Sequence, residues 1–361
     1  MDKQRAIRQR GASLIEIMVG IVIGMIAILV IYQVFAAAEG MRRNTTGVGD
    51  AQQNGLLSSF ALGIELANAG NGIASAAQEL YGCTNLSSDP TKSVRPVPVL
   101  ITDSGNPDKP DEFSVFYSAS RSLVIPIDVQ NAVAPGGDIK VQSPLDGDRA
   151  SFRKDDMIVA INVGGQCTRS VVTGVTAPDI GGFVLLSQAV KDGTAVSFND
   201  SSKVLNLGPV NRVQRVRYYV DPTNNVLYSR NLFDPDATPV PLASGVVNLK
   251  AQYGVDSNND GYLDDWVSAA EMGWDAATLM GNAGTKIEQL SSIKAVRIAL
   301  VTRSEQFDRD VTTDFSHVVF NCPANDGTCD GRLTVTAPKN WRYRAFETVI
   351  PLRNVIWNRA L

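Results

Sequence analysis

The sequence predicts an α+β protein in which one long N-terminal helix packs on a mainly antiparallel β-sheet head that carries insertions. Three observations support this prediction. An apolar run near the N-terminus holds no charged residue from Ile17 to Ala38. No proline occurs before Pro90, so nothing prevents a helix from continuing beyond that run. After residue 70 the sequence changes to short β-prone runs separated by turn residues.

The composition narrows the classes of function. With 44% hydrophobic and 19% charged residues, the chain is not intrinsically disordered. The formal net charge is −4, which disfavours a general role in binding nucleic acid. His317 is the only histidine, so histidine-rich zinc sites are excluded and a Ser-His-Asp triad would need this residue. The sequence also lacks the Gly-x-Ser-x-Gly, P-loop and His-Glu-x-x-His motifs, and it therefore predicts a protein that is not an enzyme.

The apolar run is long enough to cross a membrane. From Ile17 to Ala38 a helix rising about 1.5 Å per residue spans about 33 Å, against a hydrocarbon core of about 30 Å. An ordinary secretory signal has a shorter apolar region of about 7 to 15 residues. A plain uncleaved anchor explains the length and the basic residues that precede the run. It does not explain Glu16, because a carboxylate at the edge of an apolar helix requires a partner.

The residues before Glu16 resemble a known processing signal. The segment Arg-Gly-Ala-Ser-Leu-Ile-Glu, from Arg10 to Glu16, is similar to the type IV prepilin signature. In that family a peptidase cuts after the glycine, the new N-terminus is methylated, and the glutamate pairs with the N-terminal ammonium of a neighbouring subunit in the filament. The resemblance implies cleavage between Gly11 and Ala12 and assigns Glu16 to assembly. Ala12 stands where phenylalanine is commoner, a departure that the family tolerates.

The helix and the signature divide the chain into three parts. Residues 1–11 are the predicted leader, and residues 12–69 are the predicted helix, with a membrane span at about 14–38. Residues 70–361 are the predicted periplasmic or extracellular head. Leu56, Phe60 and Ile64 recur every four residues, so we expect this face of the helix to lie against the head.

The head is predicted to be rich in β-strands. Asp-Pro-Thr-Asn-Asn at residues 221–225 is a clear turn between two of the β-prone runs. Because the chain is longer than a typical major pilin, we expect insertions or a second lobe. The predicted strands are Phe113–Ser118, Leu123–Ile127, Met157–Val163, Phe183–Leu186, Val213–Val220, Val226–Arg230, Val246–Tyr253, Ile293–Thr302 and Arg344–Leu352.

Three segments of the distal half resemble the PilW family of minor pilins: Tyr253–Asp256, Ile293–Val301 and Tyr343–Asn354. The resemblance implies a structural role in priming the assembly, and forming the tip complex, of a type IV pilus used for adhesion and twitching motility. The implied partners are prepilin peptidase, other minor pilins, the major pilin and a large tip adhesin. The implied location is the inner membrane, crossed once, and then the pilus. Minor pseudopilin J of type II secretion has a similar plan and stays open as an alternative.

Four cysteines allow three pairings, and an exported head lies where disulfides persist. Cys322 and Cys329 flank a segment that supplies its own turn residues, so a bond between them is predicted. By exclusion Cys83 then pairs with Cys167. A structural zinc site is the competing interpretation, but no Cys-x-x-Cys spacing occurs.

An acidic segment, Asp256–Asp264, fits the first nine positions of a calcium loop, with Gly261 at the sharp turn. Position twelve is Val267 instead of a bidentate glutamate, so the segment is no complete EF-hand. Calcium is the one cofactor that the sequence suggests, and a membrane-anchored calcium-dependent binding module is a further alternative function. A solvated turn between strands is the competing interpretation. The predicted ligands are Asp256, Asn258, Asp260, Asp264 and the carbonyl of Tyr262.

Basic and aromatic residues gather near the C-terminal end of the chain. Arginines and aromatic rings can stack on single-stranded nucleic acid. In a terminal strand, however, such residues usually pack on one face and are solvated on the other, so we expect no nucleic-acid partner. The residues are Lys339, Trp341, Arg342, Tyr343, Arg344, Arg353, Trp357 and Arg359.

Overall fold

The protein consists of one long helix followed by a head of antiparallel sheets, as a computed structural model shows. The predicted α+β class is confirmed. The structure describes residues 13–356 except for 75–79, 84–94, 121–124, 144–150, 163–165, 194–196, 213, 234–236, 282–285 and 322–331.

Helix α1 runs from Leu14 to Asn68 and contains 55 residues. At about 1.5 Å per residue it is about 80 Å long, so the predicted long N-terminal helix is confirmed. Its last carbonyl groups are capped from the other end of the chain. The side-chain Nδ2 of Asn354 donates to the carbonyl oxygens of Ala67 at 3.2 Å and Ala69 at 3.1 Å. The end of α1 is therefore fixed to the head by groups that would otherwise lack partners.

The second half of α1 packs on the head through a different face from the one predicted. Leu56, Phe60 and Ile64 are 55%, 68% and 46% exposed, so the prediction that they lie against the head is wrong. The buried face recurs at intervals of three and four residues, as a helix requires. It is formed by Gly47, Ala51, Gly55, Ser58, Leu62 and Leu66.

Close approach of the helix to the sheet explains this difference. A Cβ atom at Gly55 would overlap the ring of Phe346, and one at Gly47 would lie 3.1 Å from the Cβ of Ser304. Small residues therefore line the part of α1 that lies closest to the strands. Because glycine, alanine and serine add little to a hydrophobic pattern, the periodic signal indicated the opposite, exposed face.

Seventeen strands and three short helices follow α1 among the described residues. The helices are α2 (Ala276–Met280), α3 (Lys286–Ser292) and α4 (Arg353–Ile356). The strands are β1 (Val99–Thr102), β2 (Glu112–Tyr117), β3 (Ile127–Asp128), β4 (Ile139–Gln142), β5 (Asp156–Ile161), β6 (Cys167–Val175), β7 (Phe183–Gly193), β8 (Lys203–Pro209), β9 (Gln214–Asp221), β10 (Val226–Asn231), β11 (Val240–Ser244), β12 (Val246–Val255), β13 (Asp265–Ser268), β14 (Ile293–Arg303), β15 (Phe315–Val319), β16 (Leu333–Ala337) and β17 (Tyr343–Pro351).

The sheet nearest to α1 has the strand order β13-β12-β14-β17. Its direction relative to α1 is set by contacts at both ends. At the lower end, the end nearer to the apolar half of α1, the Oγ1 of Thr302 near the end of β14 donates to the carbonyl of Ala51 at 2.8 Å. At the upper end, where α1 ends, Asn354 just after β17 contacts the last residues of the helix. Strand β14 therefore runs antiparallel to α1, and its C-terminal end at Arg303 lies nearest to the apolar half of the helix.

A second sheet, β1-β2-β9-β10-β11, shares a core with the first, and β15 and β16 form a separate hairpin. Strands β2 and β9 are neighbours in this sheet although residues 118–213 separate them in the chain. Those residues contain a six-stranded sheet, β3-β8-β5-β6-β7-β4, with a core of its own that includes Ile158, Val172 and Val204. We call residues 118–213 the inserted lobe, and they confirm the predicted insertion.

Candidate functional site

The first half of α1 is an apolar surface that the rest of the described chain does not cover. Every large apolar side chain from Leu14 to Phe35 is between 52% and 75% exposed. The most apolar 18-residue window of the helix has a mean hydropathy of 2.9, and none of it is buried. By length and composition this helix could cross a membrane. Such a surface is stable only in contact with lipid or with other apolar surfaces.

Glu16 is the one acidic residue in the first turn of α1, and it is exposed. The carboxylate lies near the helix N-terminus, where the helix dipole favours a negative charge. No charged residue follows it before Glu39. In an apolar environment its partner would have to come from outside this stretch of helix. Gly11 and Ala12, the predicted cleavage and methylation positions, lie outside the described residues.

The acidic loop between β12 and β13 is closed by its own hydrogen bonds. Asp256 is buried, and its two carboxylate oxygens accept the backbone N–H groups of Asp260 at 3.1 Å and Gly261 at 3.0 Å. The Oδ1 of Asp260 accepts the N–H of Tyr262 at 2.8 Å. The Oδ1 of Asn258 accepts the N–H of Asp260 at 2.9 Å. These predicted calcium ligands therefore already accept bonds within the loop.

Asp264 closes the other side of this loop. The hydroxyl and backbone N–H of Ser257 donate to its Oδ2 at 2.6 and 2.7 Å, and these bonds lower the pKa of Asp264 below its ordinary value. Within the described ranges, no group of three or more His, Cys, Asp or Glu side chains is arranged to hold a metal ion. Calcium binding by this loop stays a prediction.

The predicted disulfide between Cys83 and Cys167 is confirmed. Its Cα atoms are 5.6 Å apart, and both residues are buried. Cys83 lies between α1 and β1, whereas Cys167 begins β6 of the inserted lobe. The bond therefore joins the lobe to the segment that follows the helix. The predicted partners Cys322 and Cys329 lie outside the described residues.

His317, on which any Ser-His-Asp triad would depend, is exposed on β15 and stacks on Phe315 with ring centroids 6.0 Å apart. Trp341 and Arg342 also have partners within the head. The guanidinium carbon of Arg303 lies 4.0 Å from the ring centroid of Trp341, and the Nε of Arg342 donates to Asp308 at 2.7 Å. Trp357 and Arg359 lie outside the described residues.

Sequence reasoning missed one group near the end of the apolar run. Phe307 lies beside Arg42 and Arg43 of α1 and makes an edge-to-face contact with Trp341. No local pattern signals this group, because Arg42 and Arg43 are more than 250 residues away from Phe307 and Trp341 in the sequence. Only the packing of β14 and β17 along α1 brings them together.

Comparison with known families agrees with these features at both ends of the chain. Residues 217–354 match the family model described as Type IV Pilus-assembly protein W, which extends from within β9 into α4 and leaves the inserted lobe outside. Residues 7–32 match the model described as the prokaryotic N-terminal methylation motif, and this range includes Gly11, Ala12 and Glu16. No curated protein matches the chain.

A solved type IV-like pilin from Thermus thermophilus is similar to part of the chain. The match covers 56% of this chain and 86% of that pilin at 11% sequence identity, with a TM-score of 0.25. A likeness at this level carries no argument. The prepilin motif, the long apolar helix and the distal match agree with one another: this chain is similar to prepilins over residues 7–32 and to the PilW family of pilus-assembly proteins over residues 217–354.

Proposed function

We propose that this chain is a minor pilin that helps to prime the assembly of a type IV pilus and forms part of its tip complex, in support of adhesion and twitching motility. The observation that carries the proposal is the exposed apolar first half of α1 with Glu16 in its first turn. The role is structural, and catalysis has no part in it. The proposed partners are other minor pilins, the major pilin and a large tip adhesin.

The proposed path begins in the inner membrane, which α1 crosses once at about residues 14–38. Prepilin peptidase cuts after Gly11, and the new N-terminus at Ala12 is methylated. In the filament, helices of neighbouring subunits replace lipid around the apolar half of α1. The carboxylate of Glu16 then pairs with the N-terminal ammonium of a neighbour, which fixes the register of the two helices in an apolar setting.

The second half of α1 supports the same assembly. Leu56, Phe60 and Ile64 form a second exposed apolar strip on the side of the helix that faces away from the head, and the polar turns that carry Arg42, Thr46 and Gln53 separate it from the apolar run. Exposed apolar residues that continue along one face are typical of a protein interface. We propose that a neighbouring subunit covers this face in the filament.

The inserted lobe favours a position at the tip. Residues 118–213 add a complete six-stranded sheet to the head. A lobe of this size, repeated on every subunit along a shaft, would tend to clash with its neighbours. At the tip it meets fewer copies and has a free surface for an adhesin.

Deleting the gene in the native host distinguishes a role in the pilus from a role in the secretion pseudopilus. We expect at least a tenfold loss of surface pili and of twitching, with secretion of type II substrates unchanged, because the distal family match is to a pilus-assembly protein. Complementation with the intact gene is the control. Normal piliation together with lost secretion would overturn the proposal in favour of a pseudopilin J role.

We also propose that calcium binds the loop Asp256–Asp264. Five oxygen donors at the spacing of a calcium loop support this proposal. Without a cation, the three carboxylates of the loop repel one another. We expect calcium to raise the melting temperature of the full chain in detergent, since a ligand at 100 times its Kd stabilises by about 2.7 kcal/mol. Asp256→Ala with Asp260→Ala should abolish the rise, whereas Asp128→Ala on the inserted lobe should keep it. If calcium does not raise the melting temperature of the wild-type chain, the proposed binding of calcium by this loop is wrong.

A further inference from the structure

A loop of the head reaches the level at which the apolar run of α1 ends. This loop, residues 304–314, connects β14 to β15. A cleft of about 350 Å³ separates its tip from α1 and is lined by Gln306 and Phe307 on one side and by Glu39, Arg42, Arg43 and Thr46 on the other. Glu39 directly follows Ala38, the last residue of the uncharged run. The loop therefore lies nearer to the apolar run than Gly47, the residue at which α1 first becomes buried against the head.

An aromatic group occupies this lowest part of the head. Phe307 is 52% exposed and meets Trp341 edge to face, with ring centroids 5.7 Å apart. The guanidinium of Arg303 covers the ring of Trp341 at 4.0 Å. We call Arg303, Phe307 and Trp341 the lower aromatic cluster. It combines one exposed ring, one partly buried ring and a cation, a combination typical of residues at a membrane surface.

The charges on the α1 side of the cleft suit phosphate groups, whereas the loop itself carries more carboxylates than cations, namely Glu305, Asp308, Asp310 and Asp314 against Arg309. The side chains of Arg42 and Arg43 are 79% and 63% exposed, and both contact the single carboxylate of Glu39, at 3.4 and 3.2 Å. Two cations sharing one anion leave this turn of α1 with a net positive charge. Juxtamembrane cations of this kind are attracted to anionic lipid headgroups.

The position of the cluster along α1 matches the thickness of a headgroup layer. Arg42 lies four residues beyond Ala38, or about 6 Å along the helix. The polar layer on each side of a bilayer is about 5 to 7 Å thick. If the uncharged run fills the hydrocarbon core, Arg42, Arg43 and Phe307 lie within the headgroups.

We propose that the lower aromatic cluster docks into the phospholipid headgroup layer of the membrane that α1 crosses, and so holds the head in a fixed orientation before the subunit enters the filament. This inference rests on the proposed insertion of α1. The occupant is the phospholipid surface itself: Phe307 and Trp341 enter the interface, and Arg42 and Arg43 contact phosphate groups. Continuity with the apolar run distinguishes this patch from other exposed aromatic residues of the head.

Fluorine NMR of the full chain in nanodiscs tests the proposal. The chain is labelled with 5-fluorotryptophan, the discs contain anionic phospholipid with or without a headgroup nitroxide, and each signal is assigned by a Trp→Phe variant. Trp266 and Trp274 are internal controls, because β13 and Tyr253 hold them at the upper end of the sheet. Trp266 lies at the level of Ala295, eight residues from Arg303 along β14, or about 27 Å away.

We expect the nitroxide to remove more than half of the Trp341 signal and to leave those of Trp266 and Trp274 nearly unchanged. Phe307→Ser should at least halve the broadening of Trp341, whereas Met272→Ser, a change at a fully exposed residue elsewhere, should not alter it. Equal broadening of Trp341 and Trp274 in a chain that migrates with the discs overturns the docking but leaves α1 inserted. A folded chain that does not migrate with the discs overturns the membrane insertion as well.

Discussion

Glu16→Ala should leave the chain in the membrane and remove it from sheared filaments, with at least a tenfold loss from the filament fraction. The substitution leaves the apolar run of α1 unchanged, so the helix still inserts into the membrane. What is lost is the one carboxylate near the start of α1, which would pair with a neighbour's terminal ammonium. In a low-dielectric environment, removing one partner of an ion pair costs about 3 to 5 kcal/mol because the other charge is left alone.

Matched variants isolate the charge from the shape of this side chain. Glu16→Gln keeps the size and should fail like Glu16→Ala, because an amide does not neutralise an ammonium. Glu39→Ala removes the next carboxylate of the same helix, which pairs with Arg42 and Arg43 outside the apolar run, and should assemble normally. Immunoblots of membrane and sheared fractions provide the measurement. Unchanged recovery of Glu16→Ala in filaments would count against the assembly role.

Loss of the Cys83–Cys167 disulfide should destabilise the head by about 4 kcal/mol, because the bond closes a long loop in the unfolded chain. The separation is 84 residues, and the bond crosses from the segment after α1 to the inserted lobe. The variant carrying both Cys83→Ser and Cys167→Ser tests this without leaving a free thiol. Denaturant unfolding of the full chain in detergent, followed by near-ultraviolet circular dichroism, reports the change.

Two controls accompany this measurement. Reduced wild-type chain should be no more stable than the double variant, because reduction breaks the Cys83–Cys167 bond together with the predicted Cys322–Cys329 bond. The variant Cys322→Ser with Cys329→Ser should lose less stability, since the loop that those residues would close is short. A double variant at Cys83 and Cys167 that unfolds within about 1 kcal/mol of the oxidised wild type would show that the bond adds little to stability.

The sequence was sufficient to predict α1 because two strong local signals coincide there. An uncharged apolar run and the absence of proline leave few alternatives to a continuous helix. The packed face was predicted wrongly because close approach selects for small residues. Gly47, Ala51 and Gly55 carry no hydrophobic periodicity, and their role follows only from the strands that lie against them.

The inserted lobe shows where strand patterns become uninformative. Its existence followed from chain length, but β8 was missed because it contains a buried polar residue and a glycine. Asn206 donates to the carboxylate of Asp156 at 2.8 Å, and Gly208 has a φ of 92°. Asp156 is the tertiary partner of Asn206, and Gly208 leaves room for the backbone of Ala119, so a local pattern contains neither reason.

Some candidate sites could likewise be predicted from the sequence, whereas others could not. The Cys83–Cys167 bond was predicted by elimination, because the other two cysteines flank a short turn. The position of the lower aromatic cluster beside Arg42 was missed because Phe307 and Arg42 come to face one another only when α1 and the sheet pack together. Local motifs therefore predicted what one segment does, whereas surfaces built from distant segments required the fold.

The most direct test of the proposed filament role is the intact mass and N-terminal peptide of the protein recovered from the envelope of its native host. We expect a chain that begins at methylated Ala12, since cleavage after Gly11 exposes the terminus that Glu16 of a neighbour is proposed to bind. A chain that retains Met1, or one that begins at Glu39 after removal of the whole apolar run, would contradict it. In either case the head would be an anchored or a secreted domain and not a subunit of a filament.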